Sequence, residues 1–147
     1  MKKRVLILCT GNSARGRMAE GVLRRDGGDD FEVEGAGVKP GDVRPEAIQV
    51  MREIGIDISG RRPKSVDEFA GQEFDYVITA CDNARETRPV FPGRTTQIHQ
   101  SFEDRPAAGV GDDEYRLSVF RRVRDETREW MRQFIAGQNW RRERFQV

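Results

Sequence analysis

The chain has 147 residues, 26 of them basic and 25 acidic, for a formal net charge of +1. That length suits one domain with a real core, and the even charge excludes a general binder of nucleic acid or of an anionic membrane. With two cysteines and no apolar run long enough for a leader or a membrane span, the composition points to a cytoplasmic protein whose thiols are kept for chemistry.

The most informative stretch comes first. Val5-Leu6-Ile7-Leu8 is too short for a helix and suits a strand covered on both faces, ending at Cys9. Met18, Ala19, Val22 and Leu23 then recur at helical spacing and predict an amphipathic helix that ends near Asp26. Thr10, Gly11, Asn12, Ser13 and Ala14 lie between the carboxyl end of that strand and the amino end of that helix. Backbone N–H groups converge there with the positive end of the helix dipole, which makes an anion cradle.

Two side chains make the cradle a chemical site. Cys9 enters it from the strand, and Arg15 stands six residues later where the helix begins. A thiol facing helix-end amides and a guanidinium loses its proton readily, and the thiolate is the nucleophile. Arg15 would grip two oxygens of a tetrahedral oxyanion with its planar fork. Gly11 permits a tight turn, and Asn12 and Ser13 can bond loop amides or the sulfur. Arginine is so abundant, at 22 residues, that the Cys–five residues–Arg spacing alone carries little. The weight rests on the strand before it, the Gly-Asn-Ser inside it and the helix after it. The competing reading is a buried structural cysteine beside a surface arginine.

Further along, Gly27 to Asp30 reads as a turn and Phe31 to Ala36 as a second strand nearer the sheet edge. After a loop over 37–44, Pro45 opens a helix with Ala47, Ile48, Met51 and Ile54 on its apolar face, stopped by Gly55. A connector over 56–63 leads to a short helical piece at Ser65–Phe69 and a strand over 74–80 that ends at Cys81. Residues 82–87 suit a short helix or turn, which Pro89 and Pro92 terminate. Thr95 to His99 is a fourth strand. A long helix from about Asp112 to Ile135 turns Leu117, Phe120, Val123, Trp130, Met131 and Phe134 inward and presents its arginines and glutamates as a solvated face with i,i+4 pairs. The expected fold is α/β: one three-layer domain over 1–137, a four-stranded parallel sheet with helices on both faces, and a tail over 138–147. In such sheets ligands sit at the carboxyl ends of the strands, where Cys9, Cys81 and the loop after the fourth strand all fall.

Residues 5–20 resemble the phosphate-binding loop of the low-molecular-weight protein tyrosine phosphatase superfamily, and most closely its arsenate reductase branch. The segments Phe74-Asp75-Tyr76-Val77-Ile78-Thr79-Ala80-Cys81-Asp82-Asn83-Ala84 and Pro89-Val90-Phe91-Pro92-Gly93 resemble the same branch, so the likeness covers nearly the whole chain. It implies that Cys81 attacks a Cys9–arsenic adduct, releases arsenite and leaves a Cys9–Cys81 disulfide. The pattern alone fits a buried strand-end cysteine at position 81 equally well. It also implies a general acid in Phe102-Glu103-Asp104-Arg105-Pro106: Asp104, with Glu103 as fallback because Arg105 separates Asp104 from the proline.

Two departures bear on the chemistry. Arg88 stands where thioredoxin-coupled members carry a third cysteine, and Gly16 follows Arg15 where many relatives place serine. The reductant is therefore left as thioredoxin, glutaredoxin or a small thiol. Some relatives use residues at the positions of Asn12 and Glu20 in a monovalent cation site. Here Gly35 and Lys64 replace other ligands of that site, so neither a metal nor another cofactor is expected. His99, the only histidine, is expected to be a satisfied structural residue.

Three functions remain open: reduction of arsenate, hydrolysis of phosphate esters by the same cysteine, and non-catalytic oxyanion binding. The loops over 38–43 and 105–109 hold no aromatic residue to wall a phosphotyrosine ring, which argues against a phosphotyrosine specialist.

Overall fold

The computed structural model describes residues 2–9, 15–37, 44–60, 64–80, 93, 95–100 and 111–137. The elements run β1 (Lys3–Cys9), α1 (Arg15–Gly27), β2 (Phe31–Gly37), α2 (Pro45–Arg52), β3 (Tyr76–Thr79), β4 (Thr96–His99) and α3 (Asp113–Ile135), with single 3-10 turns at Gly28–Asp30 and Val66–Phe69. The expected turn over 82–87 and the tail over 138–147 lie outside the described residues.

The four strands form one parallel sheet in the order β2-β1-β3-β4. β2 is an edge, as its alternating pattern implied. β1 lies inside, with Val5, Leu6, Ile7 and Leu8 all fully buried. Because successive side chains point to opposite faces, complete burial of four in a row means that both faces of β1 are covered. Tyr76, in register with Val5, meets Phe134 edge-on at 5.1 Å between ring centroids, which puts α3 on the Val5–Ile7 face.

Local chemistry sets most boundaries. Pro45 occupies the first turn of α2, where its missing N–H costs nothing. The helix closes at Arg52, and Gly55 follows at φ +81°, a conformation that a side chain would strain. Asp112 caps α3 by accepting the Tyr115 N–H at 2.8 Å. Ser65 and Glu68 form a reciprocal capping box that starts the turn at Val66. β3 is shorter than its apolar run, yet the Asp75 N–H to Arg4 carbonyl bond (2.9 Å) and the Ala80 N–H to Leu8 carbonyl bond (2.7 Å) carry its pairing with β1 beyond both ends.

The polar face expected of α3 is corrected in one place. Arg124 and Thr127 are buried, while Leu117 and Trp130 are only half-buried. Arg124 donates to the Val50 carbonyl (2.9 Å) and to Glu53 (2.8 Å), and Arg121 donates to the same carboxylate at 2.8 Å. Hydrogen bonding from Arg121, reinforced by Arg124, holds the Glu53 carboxyl down from 4.5 to about 2. These arginines therefore clamp the end of α2 to α3 instead of pairing i,i+4 along their own helix. The spacing could not reveal this, because Glu53 lies 71 residues from Arg124.

Candidate active site

The strand order places a functional crevice without reference to any side chain. From β1 the chain passes to β2 on one side, then returns across β1 to β3 on the other. The order thus reverses between the carboxyl ends of β1 and β3, the position at which open α/β sheets bind ligands. Cys9 is the last residue of β1, and the Ala80 N–H bonded to the Leu8 carbonyl marks the facing end of β3.

Cys9 is 3% exposed and sits in register with Gly37, the last residue of edge strand β2. The register partner itself, a glycine, presents no side chain to the cysteine. Arg15 is the first residue of α1 and is buried at 9% exposure, with Arg17 buried more deeply at 2%. The first turn of α1 contains no acidic residue. This inverts the usual arrangement, since helix amino termini favour acids and disfavour cations. Two buried arginines thus open the helix that follows the strand-end thiol in the chain.

A chain of alternating charges runs from α1 across β2 to Lys64. The Glu20 carboxylate accepts from Arg24 Nε at 3.1 Å, and Arg24 lies 3.8 Å from Glu34 and also donates to the Val33 carbonyl. Lys64 Nζ bonds Glu34 at 2.9 Å, while the Lys64 carbonyl accepts the Gly37 N–H at 2.9 Å. Basic side chains thus occupy the Glu20 and Glu34 carboxylates. Among the described residues no three His, Cys, Asp or Glu side chains group to hold a metal ion.

On the far side of the crevice, Thr79 and His99 are the last register pair between β3 and β4. Thr79 Oγ1 lies 2.8 Å from His99 Nδ1, and Thr79 is 2% exposed. This contact agrees with the expectation that His99 is a satisfied structural residue, although its partner, 20 residues away, was not legible in the sequence. Arg17 was missed as well, although its place two residues after Arg15 in an amphipathic first turn was a usable signal.

The other residues expected to act fall outside the described residues: Thr10, Gly11, Asn12, Ser13 and Ala14 of the cradle, Cys81, Arg88, Glu103 and Asp104. The carboxyl ends of β1, β3 and β4 share one edge of the sheet.

The chain belongs to the low molecular weight phosphotyrosine protein phosphatase family, whose model matches residues 4–144, so it is an enzyme of that family. Over 125 residues it is 43% identical to an arsenate reductase of Halalkalibacterium halodurans, covering 85% of this chain and 89% of that one. A solved arsenate reductase in the phosphate binding state superposes with a TM-score of 0.70 at 31% identity, covering 95% of this chain and all of the other. A low molecular weight protein tyrosine phosphatase from T. tengcongensis superposes at 0.71 with 26% identity, over 93% of this chain and all of that one. Among the described residues no helix is long and apolar enough to cross a membrane.

Proposed function

We propose that the protein is a cytoplasmic arsenate reductase working through two cysteines. In the first step the Cys9 thiolate attacks arsenic in arsenate held by the 10–14 amides and Arg15. Asp104 protonates the departing oxygen, which leaves as water. In the second step the Cys81 thiolate attacks the Cys9 sulfur. A disulfide forms, the sulfur–arsenic bond breaks, and its electron pair stays on arsenic. Two thiols are oxidised by two electrons in all while arsenic(V) becomes arsenic(III), released as arsenite. An external thiol reductant (thioredoxin, glutaredoxin or a small thiol) then restores both cysteines.

The observation that carries this reading is the buried Cys9 at the switch point, followed in the chain by a helix whose first turn holds the buried Arg15 and Arg17 and no acid. The identity to an arsenate reductase over most of the chain favours reduction. A second reading, hydrolysis of small phosphate esters through a Cys9–phosphate that water cleaves, is favoured by the family match and the phosphatase neighbour.

The reduced protein incubated with arsenate decides between them, with disulfides mapped by mass spectrometry and aryl phosphate turnover run in parallel. Reduction predicts arsenite in step with a Cys9–Cys81 bond, and loss of both in Cys81→Ser. Aryl phosphate turnover that survives Cys81→Ser, with no arsenite from the parent protein, establishes hydrolysis instead. Anion binding without either activity would leave a binding module and end the enzymatic reading.

A further inference from the structure

The geometry points to His99 as a positioning residue that, through Thr79, holds the end of the strand from which Cys81 follows. The inference rests on the two-cysteine reading above for its place in the reaction, but its physical content is independent of arsenate.

Thr79 is the last residue of β3 and is tied on both flanks. It is in register with Leu8 on β1 and with His99 on β4, so one row crosses three strands at the ligand end of the sheet. Its carbonyl accepts the Gln100 N–H at 2.9 Å, and the next residue, Ala80, donates to Leu8 at 2.7 Å. Cys81 is the next residue in the chain. The Thr79–His99 bond of 2.8 Å is thus the last side-chain tie before the second thiol.

The tie is specific because Thr79 is 2% exposed, so its hydroxyl has almost no access to solvent. A buried hydroxyl that loses its partner keeps its full desolvation cost. The other partner described for it, the Ile98 carbonyl, is at the outer limit of a hydrogen bond at 3.4 Å. His99 is half-buried on a four-residue edge strand, where a Thr or Val would satisfy strand propensity just as well. A ring whose nitrogen reaches back to the neighbouring strand fastens the short β4 to β3. Disulfide formation demands such control, since the two Cα atoms must come to about 4.4–6.8 Å and the attacking sulfur must approach along the breaking bond.

The experiment compares pairs of matched variants. Thr79→Val removes the hydroxyl at constant shape and Thr79→Ser keeps it. His99→Phe removes the nitrogen and His99→Asn keeps a hydrogen-bonding group near the Nδ1 position. The primary readout is the iodoacetamide alkylation rate of Cys81 against that of Cys9 in the reduced protein, resolved by peptide mapping. We expect Thr79→Val and His99→Phe to change the Cys81 rate at least fivefold and the Cys9 rate less than twofold, with Thr79→Ser and His99→Asn near the parent. In single turnover with arsenate, Cys9–Cys81 bond formation should slow about tenfold in the same two variants, while Cys9-dependent turnover of aryl phosphate holds.

Equal change at both cysteines, or none at either, overturns the inference, as does failure of Ser and Asn to restore the parent rates. Thermal unfolding of each variant separates a misfolded protein from a mispositioned thiol. Should the parent form no disulfide with arsenate, the two-cysteine reading fails, and the alkylation ratio still decides the role of His99.

Discussion

The two ends of β1 are built from the same materials and put to opposite uses. At the amino end, Arg4 is consumed by the protein itself. Its guanidinium donates to Glu32 (2.7 Å), the Glu73 carbonyl (2.7 Å) and Gln72 (3.0 Å), and lies 4.4 Å from the centre of the Phe74 ring. Its main-chain N–H is taken by Asp75 at 2.8 Å. Beyond the carboxyl end, where the Cys9 thiol is in register with a glycine, Arg15 and Arg17 are buried in a helix turn without acids. Arginine at a strand end is thus no signature by itself. What separates a staple from a site is the place in the fold: Arg4 stands at the amino end of β1, whereas Arg15 opens the helix that follows the strand at the switch point.

The sharpest test of that contrast is Cys9→Ser. A hydroxyl in place of the thiol lacks an accessible anion, so turnover of arsenate and of aryl phosphate should both fall at least about 1000-fold. Circular dichroism should remain that of the parent, because the sheet does not depend on the sulfur. Activity within tenfold of the parent would remove the carboxyl end from the chemistry.

Next in size is Arg15→Lys. A point charge cannot reproduce the two-pronged grip, and we expect kcat/KM to drop about 100-fold, close to 3 kcal/mol of transition-state stabilisation. The reversed pattern belongs to Arg4→Ala. It should reduce unfolding free energy by roughly 1–2 kcal/mol, through lost hydrogen bonds and stacking, while leaving kcat/KM within twofold. If Arg4→Ala impaired catalysis as strongly as Arg15→Lys, the two ends would not be functionally distinct.

The smallest effect concerns the clamp between α2 and α3, remote from either end. Glu53 is held at about 2 in the folded protein, against 4.5 without its arginines. Its stabilising contribution is therefore complete above pH 4.5 and disappears as pH falls towards 2. Glu53→Gln should lose about 1 kcal/mol at most at pH 7, since the pair is partly solvated, and the difference from the parent should vanish near pH 2. Urea denaturation at several pH values measures it, and a difference that grew on acidification would contradict the assignment.

Much of the site could be read from residues 5–23 alone. A fully apolar quartet, a polar loop and a helical stripe at Met18, Ala19, Val22 and Leu23 needed no partner to be recognised, and all eight apolar residues are buried. The α2 face was less legible. Val50 is fully buried whereas Ile48 and Ile54 are half-buried, because packing against α3 rotates the contact stripe relative to the hydrophobicity pattern. The same partner explains Arg124, whose acceptors Val50 and Glu53 come from another helix.

The sequence by itself determined the alternation of strands and helices, the parallel sheet and the pairing of a strand-end thiol with a helix-start arginine, because each follows from periodicity or chemistry within some fifteen residues. Only the tertiary structure decided the strand order, and with it the crevice between β1 and β3, the burial of Arg17 and the row linking Leu8, Thr79 and His99. The reason is physical: a β-strand's own residues specify which faces it must cover, whereas its neighbours are chosen by closing loops of tens of residues against the packing of the whole core.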